Sequence, residues 1–394
     1  MTTCRCAWDT HFLREARGDG FTRPVYCGMG VFSRLKWGED KYPALTGVRA
    51  LGASVVFLDH FPIQANAHLT VNVMAFFYTL SGFLIFRIYY QNTRLSRHWL
   101  SKYFVNRFAR IYPVYFLLLT VAVFASHDSR PWVLLKNYTL THALFHPSDL
   151  IIQPSWSLTV EECFYFLAPA FMILARRRGF AALLLVGCVM LAAALAVSRL
   201  PTDFLHGAVF VLSTTFCGHF LEFFAGVYLA LGVMKIEATG PLALPGQRWT
   251  LAGLGAVLLL SLAMTLVYAH PPLRMWSIIL LNNFLIPVPI ALLYWGLIRE
   301  KSLLSGLLST RPAALLGRSS YSFYLLHTLV IDYISVPWLL PLMGSRLLCV
   351  LVTFVVTWLA SILLFVCFEE PVNMSIRRRF NEKTWVAMQP TLSK

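Results

Sequence analysis

The chain has 394 residues, 58% of them hydrophobic and only 13% charged. Its apolar runs repeatedly approach the ~20 residues that cross a bilayer's hydrocarbon core, which excludes a soluble globular fold. The formal net charge of +15 falls in short Lys and Arg clusters between those runs, so it speaks for membrane topology and against nucleic-acid binding.

Residues 1–42 read as a basic extension without the apolar core of a cleavable signal peptide. Cys4-x-Cys6 and Cys27 fall within it, too sparse for a zinc site, and no metal is assigned anywhere in the chain. Apolar spans follow near 45–63, 71–90, 111–127, 159–175, 179–198, 207–234, 250–270, 277–298, 313–338 and 347–368. The expected fold is therefore all-α, a polytopic bundle of about ten transmembrane helices. Most basic residues, among them Arg87, Arg97, Arg107, Arg110, Arg176, Lys235, Arg248, Arg299, Arg311 and Arg377, fall on one side of the resulting alternation. The positive-inside rule makes that side cytoplasmic, with both termini there. The expected divisions are a cytoplasmic basic extension over 1–42, a transmembrane domain over 43–371 and a cytoplasmic tail over 372–394.

Within the first span, Arg49 and His60 stand eleven residues apart. At about 100° and 1.5 Å per residue, both project from one helix face, roughly 16 Å apart along the axis. Ionisable groups at membrane depth are costly and point to function, although a lone His at a span's end is also commonly a satisfied polar residue. Ser81-Gly82 in the second span permits close helix approach.

Ahead of the third span, Arg107 and Arg110 are three apart on one face. A planar guanidinium suits phosphate oxygens, and a pair at this depth can grip the phosphates of a cytosolic donor; orientation and lipid headgroup contact is the other reading. The fourth span opens on Trp156-Ser157-Leu158-Thr159-Val160-Glu161-Glu162-Cys163-Phe164-Tyr165. Ser157, Glu161 and Tyr165 share a stripe at i, i+4, i+8. Glu162 suits a helix start with a favourable dipole. Glu161 is expected to face the bundle interior and meet His60, a general-base arrangement in which a carboxylate orients the imidazole. Glu222 is an intramembrane carboxylate in need of a partner. Tyr324 and His327, at i, i+3, share a face and either line a cavity or serve packing.

Together these motifs resemble the acyltransferase-3 family of integral-membrane O-acyltransferases, over essentially all of Leu45 to Pro371. The resemblance rests on Arg49-x10-His60, Phe76-Phe77-Tyr78-Thr79-Leu80-Ser81-Gly82, Arg107-x-x-Arg110-Ile111-x-Pro113, the segment Trp156 to Tyr165, and Leu316-Gly317-Arg318-Ser319-Ser320-Tyr321-Ser322-x-Tyr324-Leu325-Leu326-His327. It implies transfer of an acyl group, usually acetyl, from acyl-coenzyme A to a hydroxyl of a carbohydrate such as a surface polysaccharide or lipid-linked glycan. It also implies His60 as catalytic and Arg49, Arg107 and Arg110 as functionally required; the reading of the residues adds Glu161 as the catalytic carboxylate and the three arginines as the residues binding the coenzyme A donor. Trp156, Ser157, Tyr165, Tyr324 and His327 are the candidates for binding the acceptor. Acyl-coenzyme A is here a substrate, and no permanently bound cofactor is expected. The location implied is a bacterial inner membrane, with membrane lipids as surroundings. About two dozen residues after Pro371 leave no room for a fused domain, so the expectation is action alone or beside separate glycan-assembly partners. The rivals are a secondary transporter or flippase, disfavoured by the absence of an internal repeat, and an acyltransferase modifying a small acceptor such as a macrolide.

Overall fold

The computed structural model describes residues 40–61, 70–93, 96–145, 149–200, 204–205, 207–240, 244–268 and 274–388. The cysteines at 4, 6 and 27 and all of the basic extension up to residue 39 lie outside the described residues.

The helices in chain order are α1 (Pro43–His60), α2 (Thr70–Tyr89), α3 (Arg97–Ser126), α4 (Pro131–Tyr138), α5 (Trp156–Arg178), α6 (Phe180–Val197), α7 (Ala208–Thr214) and α8 (Phe216–Glu237). They continue with α9 (Arg248–Tyr268), α10 (Arg274–Ile279), α11 (Pro287–Arg299), α12 (Leu303–Leu308), α13 (Arg311–Val330), α14 (Leu340–Met343), α15 (Arg346–Leu364) and α16 (Glu370–Met388). Among the described residues there is no strand, only an isolated bridge between Leu244 and Glu300. Among the described residues, nine helical stretches are long and apolar enough to cross a membrane. The α1 helix is the tenth long element expected; Arg49, Asp59 and His60 lower its hydropathy, and it packs against α13 and α2 as an inner member of the bundle.

The basic segment before the third span is itself helical. Ser96 caps α3 by accepting a hydrogen bond from the Trp99 amide at 3.1 Å, and no proline interrupts the helix before Pro113. This corrects the expected start near residue 111. Arg107 and Arg110 lie inside a 30-residue helix, not on a surface segment leading into one. The residues after 371 are likewise helical through Met388: α16 packs on α3, with His98 stacked on Phe380 and the Arg377 guanidinium donating to the Asn106 carbonyl.

Two glycine contacts set how closely the inner helices approach. A Cβ at Gly82 would stand 2.1 Å from the Phe223 carbonyl oxygen, and one at Gly317 would stand 1.9 Å from that of Thr46. Only hydrogen fits there, so α2 lies against α8, and α13 against α1, backbone to backbone. Aromatic rings fill the space beside this seam: Phe164 stacks on Phe223 at 4.4 Å and Phe223 on Tyr78 at 4.8 Å.

Among the described residues, three stretches widen into π-helix: Leu280–Leu285, Ile331–Leu339 and Phe365–Glu369. Each contains or is closely followed by a proline, at 287, 337 and 371. A missing proline N–H cannot close the i to i−4 bond, and a wider turn takes up the mismatch.

Candidate active site

Polar residues from six helical elements form a column through the bundle, beginning at the arginine-rich end. Arg107 sits on α3 with its guanidinium carbon 5.7 Å from both the Tyr89 and Tyr165 ring centroids. Its Nε is buried without a hydrogen-bond partner. Arg110, one turn on, forms an ion pair with Glu369, whose other oxygen accepts from the Ser322 hydroxyl at 2.6 Å. The Arg110 side chain is 22% exposed and that of Glu369 1%, so this is a buried, hydrogen-bonded pair. Glu369 escaped notice in the sequence, although Phe368-Glu369-Glu370-Pro371 at the end of an apolar span, with a proline directly after two acids, was the available signal.

Deeper in the column, Glu161 accepts from the Ser81 hydroxyl at 2.6 Å, and the Tyr165 hydroxyl lies 3.2 Å from the Ser81 oxygen. Tyr103 fixes this turn of α5 by donating to the Tyr165 carbonyl at 2.8 Å. Arg49 and Arg107 are the charges acting on Glu161. Among the described residues, Arg49 has no hydrogen-bond or ion-pair partner. It lines a cavity of about 350 Å³ between α1 and α2, with Lys41, Arg87, Gln91 and Asn92 at the arginine-rich end.

The next level is a hydroxyl pair. The Ser157 and Tyr324 oxygens are 2.7 Å apart, and each lies 3.0 Å from the Pro154 carbonyl. One turn beyond, His327 is fully buried and donates from Nδ1 to the Tyr324 carbonyl at 2.7 Å. Its Nε2 is buried with no partner. The His327 ring meets the His60 ring edge to face at 5.1 Å.

His60 is exposed at the end of α1. Its Nδ1 lies 2.9 Å from the Val56 carbonyl, which can only accept, so Nδ1 carries the proton. In the neutral ring Nε2 then holds the lone pair, and this second nitrogen is the basic one.

The expected meeting of His60 with Glu161 does not occur. Glu161 lies a helical turn further along α5 than Ser157, which already reaches Tyr324, so its carboxylate falls at the level of Ser81 and Arg49. A carboxylate within electrostatic reach of His60 is that of Asp332, on the π-stretch after α13. Of the other residues marked in the sequence, Ser157, Tyr165, Tyr324 and His327 lie in the column, while the Trp156 ring turns away toward His219, 6.1 Å between centroids. Glu222 has the partner its position demanded: His219 Nδ1 at 2.9 Å, with His219 Nε2 donating to the Ser213 carbonyl at 3.0 Å. With Nε2 donating to a carbonyl, the contact between Nδ1 and the Glu222 carboxyl joins the two side chains into one buried pair that shares a proton.

The Acyltransferase domain family (Acyl_transf_3) matches residues 42–366. The chain is 29% identical over 332 residues to Acyltransferase MdmB of Streptomyces mycarofaciens, covering 74% of this chain and 80% of that protein. It is 26% identical over 164 residues to Peptidoglycan O-acetyltransferase OatA of Listeria monocytogenes, covering 35% of this chain and 25% of that protein. No solved structure matches. The chain belongs to the Acyl_transf_3 acyltransferase family and is an integral-membrane O-acyltransferase.

Proposed function

We propose that this acyltransferase moves an acyl group, acetyl in the simplest case, from cytosolic acyl-coenzyme A to a hydroxyl of a carbohydrate on the opposite side of a bacterial inner membrane. The observation carrying this reading is the His60 tautomer: an exposed Nε2 lone pair at the far end of a column whose near end is arginine-rich. Basic residues flank the ends of α2, α3, α5, α8, α9, α11 and α13 on the arginine side, and the positive-inside rule makes that side cytoplasmic. The anionic donor would enter there, beside the Arg49 cavity and Arg107, and lie along the column with its thioester toward His60. Arg110 would act mainly through Glu369, holding α3 against the π-stretch before α16.

In the transfer step, His60 Nε2 takes the proton of the acceptor hydroxyl as its oxygen attacks the thioester carbonyl carbon. The carbon–sulfur bond breaks, and the proton passes from the imidazolium to the departing thiolate, leaving an ester and free coenzyme A. Tyr324, Ser157 and His327 line the approach of the acceptor. Glu161 would hold the charge of Arg49 and order Ser81 and Tyr165 at mid-depth. The carbohydrate acceptor draws support from the relative named as acting on peptidoglycan. Separate glycan-assembly proteins would then supply the acceptor or carry the product onward.

The test is release of free thiol from acetyl-coenzyme A by purified protein in lipid, with and without glycan fragments. Glycan-stimulated release with acetyl recovered on the glycan supports the reading. Thioester turnover indifferent to every glycan, with acetyl appearing on a non-carbohydrate alcohol, would replace the acceptor class. Movement of a solute across vesicles without any thioester cleavage would overturn the transfer reading.

A further inference from the structure

On the opposite side of α8 from α2, an apolar groove of about 890 Å³ opens between α6, α8, α9 and α11. Leu221, Phe224, Tyr228, Gly232, Val288 and Trp295 are among its walls, and Lys235 is the charged residue lining it. Unlike the α2–α8 seam, a Cβ at Gly232 would meet only the Trp295 ring, at the ordinary distance of 3.4 Å. Tyr228 and Val288 stand 64% and 69% exposed along it. From Leu221 to Lys235 the groove follows α8 for roughly 21 Å, more than the ~15 Å of hydrocarbon in one leaflet.

The arginine-rich end is built differently from the rest. Lys235 is exposed there, with no ion-pair partner among the described residues. Arg248 lies 4.9 Å above the Trp249 ring and Arg299 5.8 Å from the Trp295 ring, placing two indole rings and two guanidinium groups at the mouth. Of the acids nearby, Glu300 accepts from the Trp249 and Thr250 amides and offsets the charge of Arg248, while Glu237 is held by Lys41, Tyr42 and Arg87, which leaves Lys235 in excess. The mouth is therefore cationic and ringed by interfacial tryptophans, while the interior is apolar.

We infer that this groove is a binding site for one anionic two-chain phospholipid, its phosphate at Lys235 and its acyl chains lying along α8. The charge at the mouth selects against a zwitterionic lipid, and the one-sided position of that charge places the lipid in the leaflet at the arginine-rich face. The site is separate from the catalytic column, from which α8 and the Phe223 and Phe224 rings divide it, and it does not depend on the identity of donor or acceptor.

The experiment is native mass spectrometry of the purified full chain in mild detergent, offered phosphatidylglycerol or phosphatidylcholine with the same acyl chains. Wild type is expected to retain one phosphatidylglycerol in preference, and Lys235→Gln to lower that preference roughly fivefold, the weight of one basic side chain at an anionic headgroup. Gly232→Leu places an isobutyl group in the groove and is expected to reduce retention of both lipids. Lys235 is exposed, so its variant decides the matter even if Gly232→Leu folds poorly. Equal retention of the two lipids by wild type, or a preference unchanged in Lys235→Gln, means ordinary annular lipid and overturns the inference. Efficient self-crosslinking of Tyr228→Cys in membranes also overturns it, because a second copy would then occupy the face.

Discussion

His60 and the three arginines look alike in sequence, as ionic residues at span ends, yet their surroundings give each a different expected behaviour. His60 is solvent-facing and bonded only through its own helix turn, so His60→Ala removes little packing. Loss of the base should lower acyl transfer by about 10²–10⁴-fold while the unfolding temperature stays near wild type; a variant that turns over at the normal rate removes His60 from the chemistry. Arg110 is the opposite case. Replacing it with Ala strands the buried Glu369 carboxylate, and breaking such a pair typically costs about 3–5 kcal/mol. The measurement is thermal unfolding in detergent, where Arg110→Ala should fall well below wild type and Arg110→Ala with Glu369→Gln should recover part of the loss. Arg49, with no ion-pair partner among the described residues and a cavity beside it, should show the reverse pattern. Arg49→Ala is expected to raise the acyl-coenzyme A requirement with little change in unfolding temperature, and Lys should restore it only in part because it lacks the planar fork.

Among the elements, α1 is both a structural and a functional ruler. Its first turns are locked to α12 and α13, where a Cβ at Gly47 would stand 2.2 Å from the Leu308 carbonyl oxygen and one at Gly317 1.9 Å from that of Thr46. Its last turns carry Phe57 against Phe323 and His60 against His327. One Ala inserted between Ser54 and Val55 leaves the locked turns in register and rotates everything after by about 100° while adding only ~1.5 Å. His60 then leaves His327, and acyl transfer should collapse although acyl-coenzyme A binding at the Arg49 end persists. Normal transfer by a correctly inserted variant would show that the two ends serve no common substrate. The π-stretches complete the site from the other side, since Asp332 and Glu369 both project from turns that an uninterrupted α-helix would aim elsewhere.

For the molecule as a whole, stability should depend on pH through a group outside the spanning helices. His142, in the segment between α4 and α5, is fully buried against Ser155, whose hydroxyl oxygen lies 3.1 Å from Nε2. Burial lowers its pKa from 6.5 to about 4, against the smaller opposing effect of the Ser155 hydrogen bond. The unfolded chain therefore binds a proton first as pH falls. The stabilisation is complete above pH 6.5 and is lost on the way down to about pH 4, by up to about 3 kcal/mol. Unfolding temperature measured across that window should fall in wild type and fall less in His142→Asn; parallel curves would remove His142 as the cause.

What the chain determines by itself is the all-α membrane class, the order of its spans and the identity of its motifs. These follow from local properties: run length, period and the spacing of Arg49 from His60 along one helix, none of which depends on a neighbour. The stripe Ser157, Glu161, Tyr165 was legible for the same reason, because its face is fixed by helix periodicity. Which residues meet across helices was decided only by the tertiary structure. Glu161 turned to Ser81 and Arg49 instead of His60 because its depth along α5 is set by how that helix docks, with Ser157 against Tyr324. Glu369 became the partner of Arg110 across 259 positions of sequence through a proline-linked π-turn. The apolar groove beside α8 was invisible for a related reason. In sequence a lipid-facing apolar residue and a packed one look the same, and only the absence of a neighbouring helix distinguishes them.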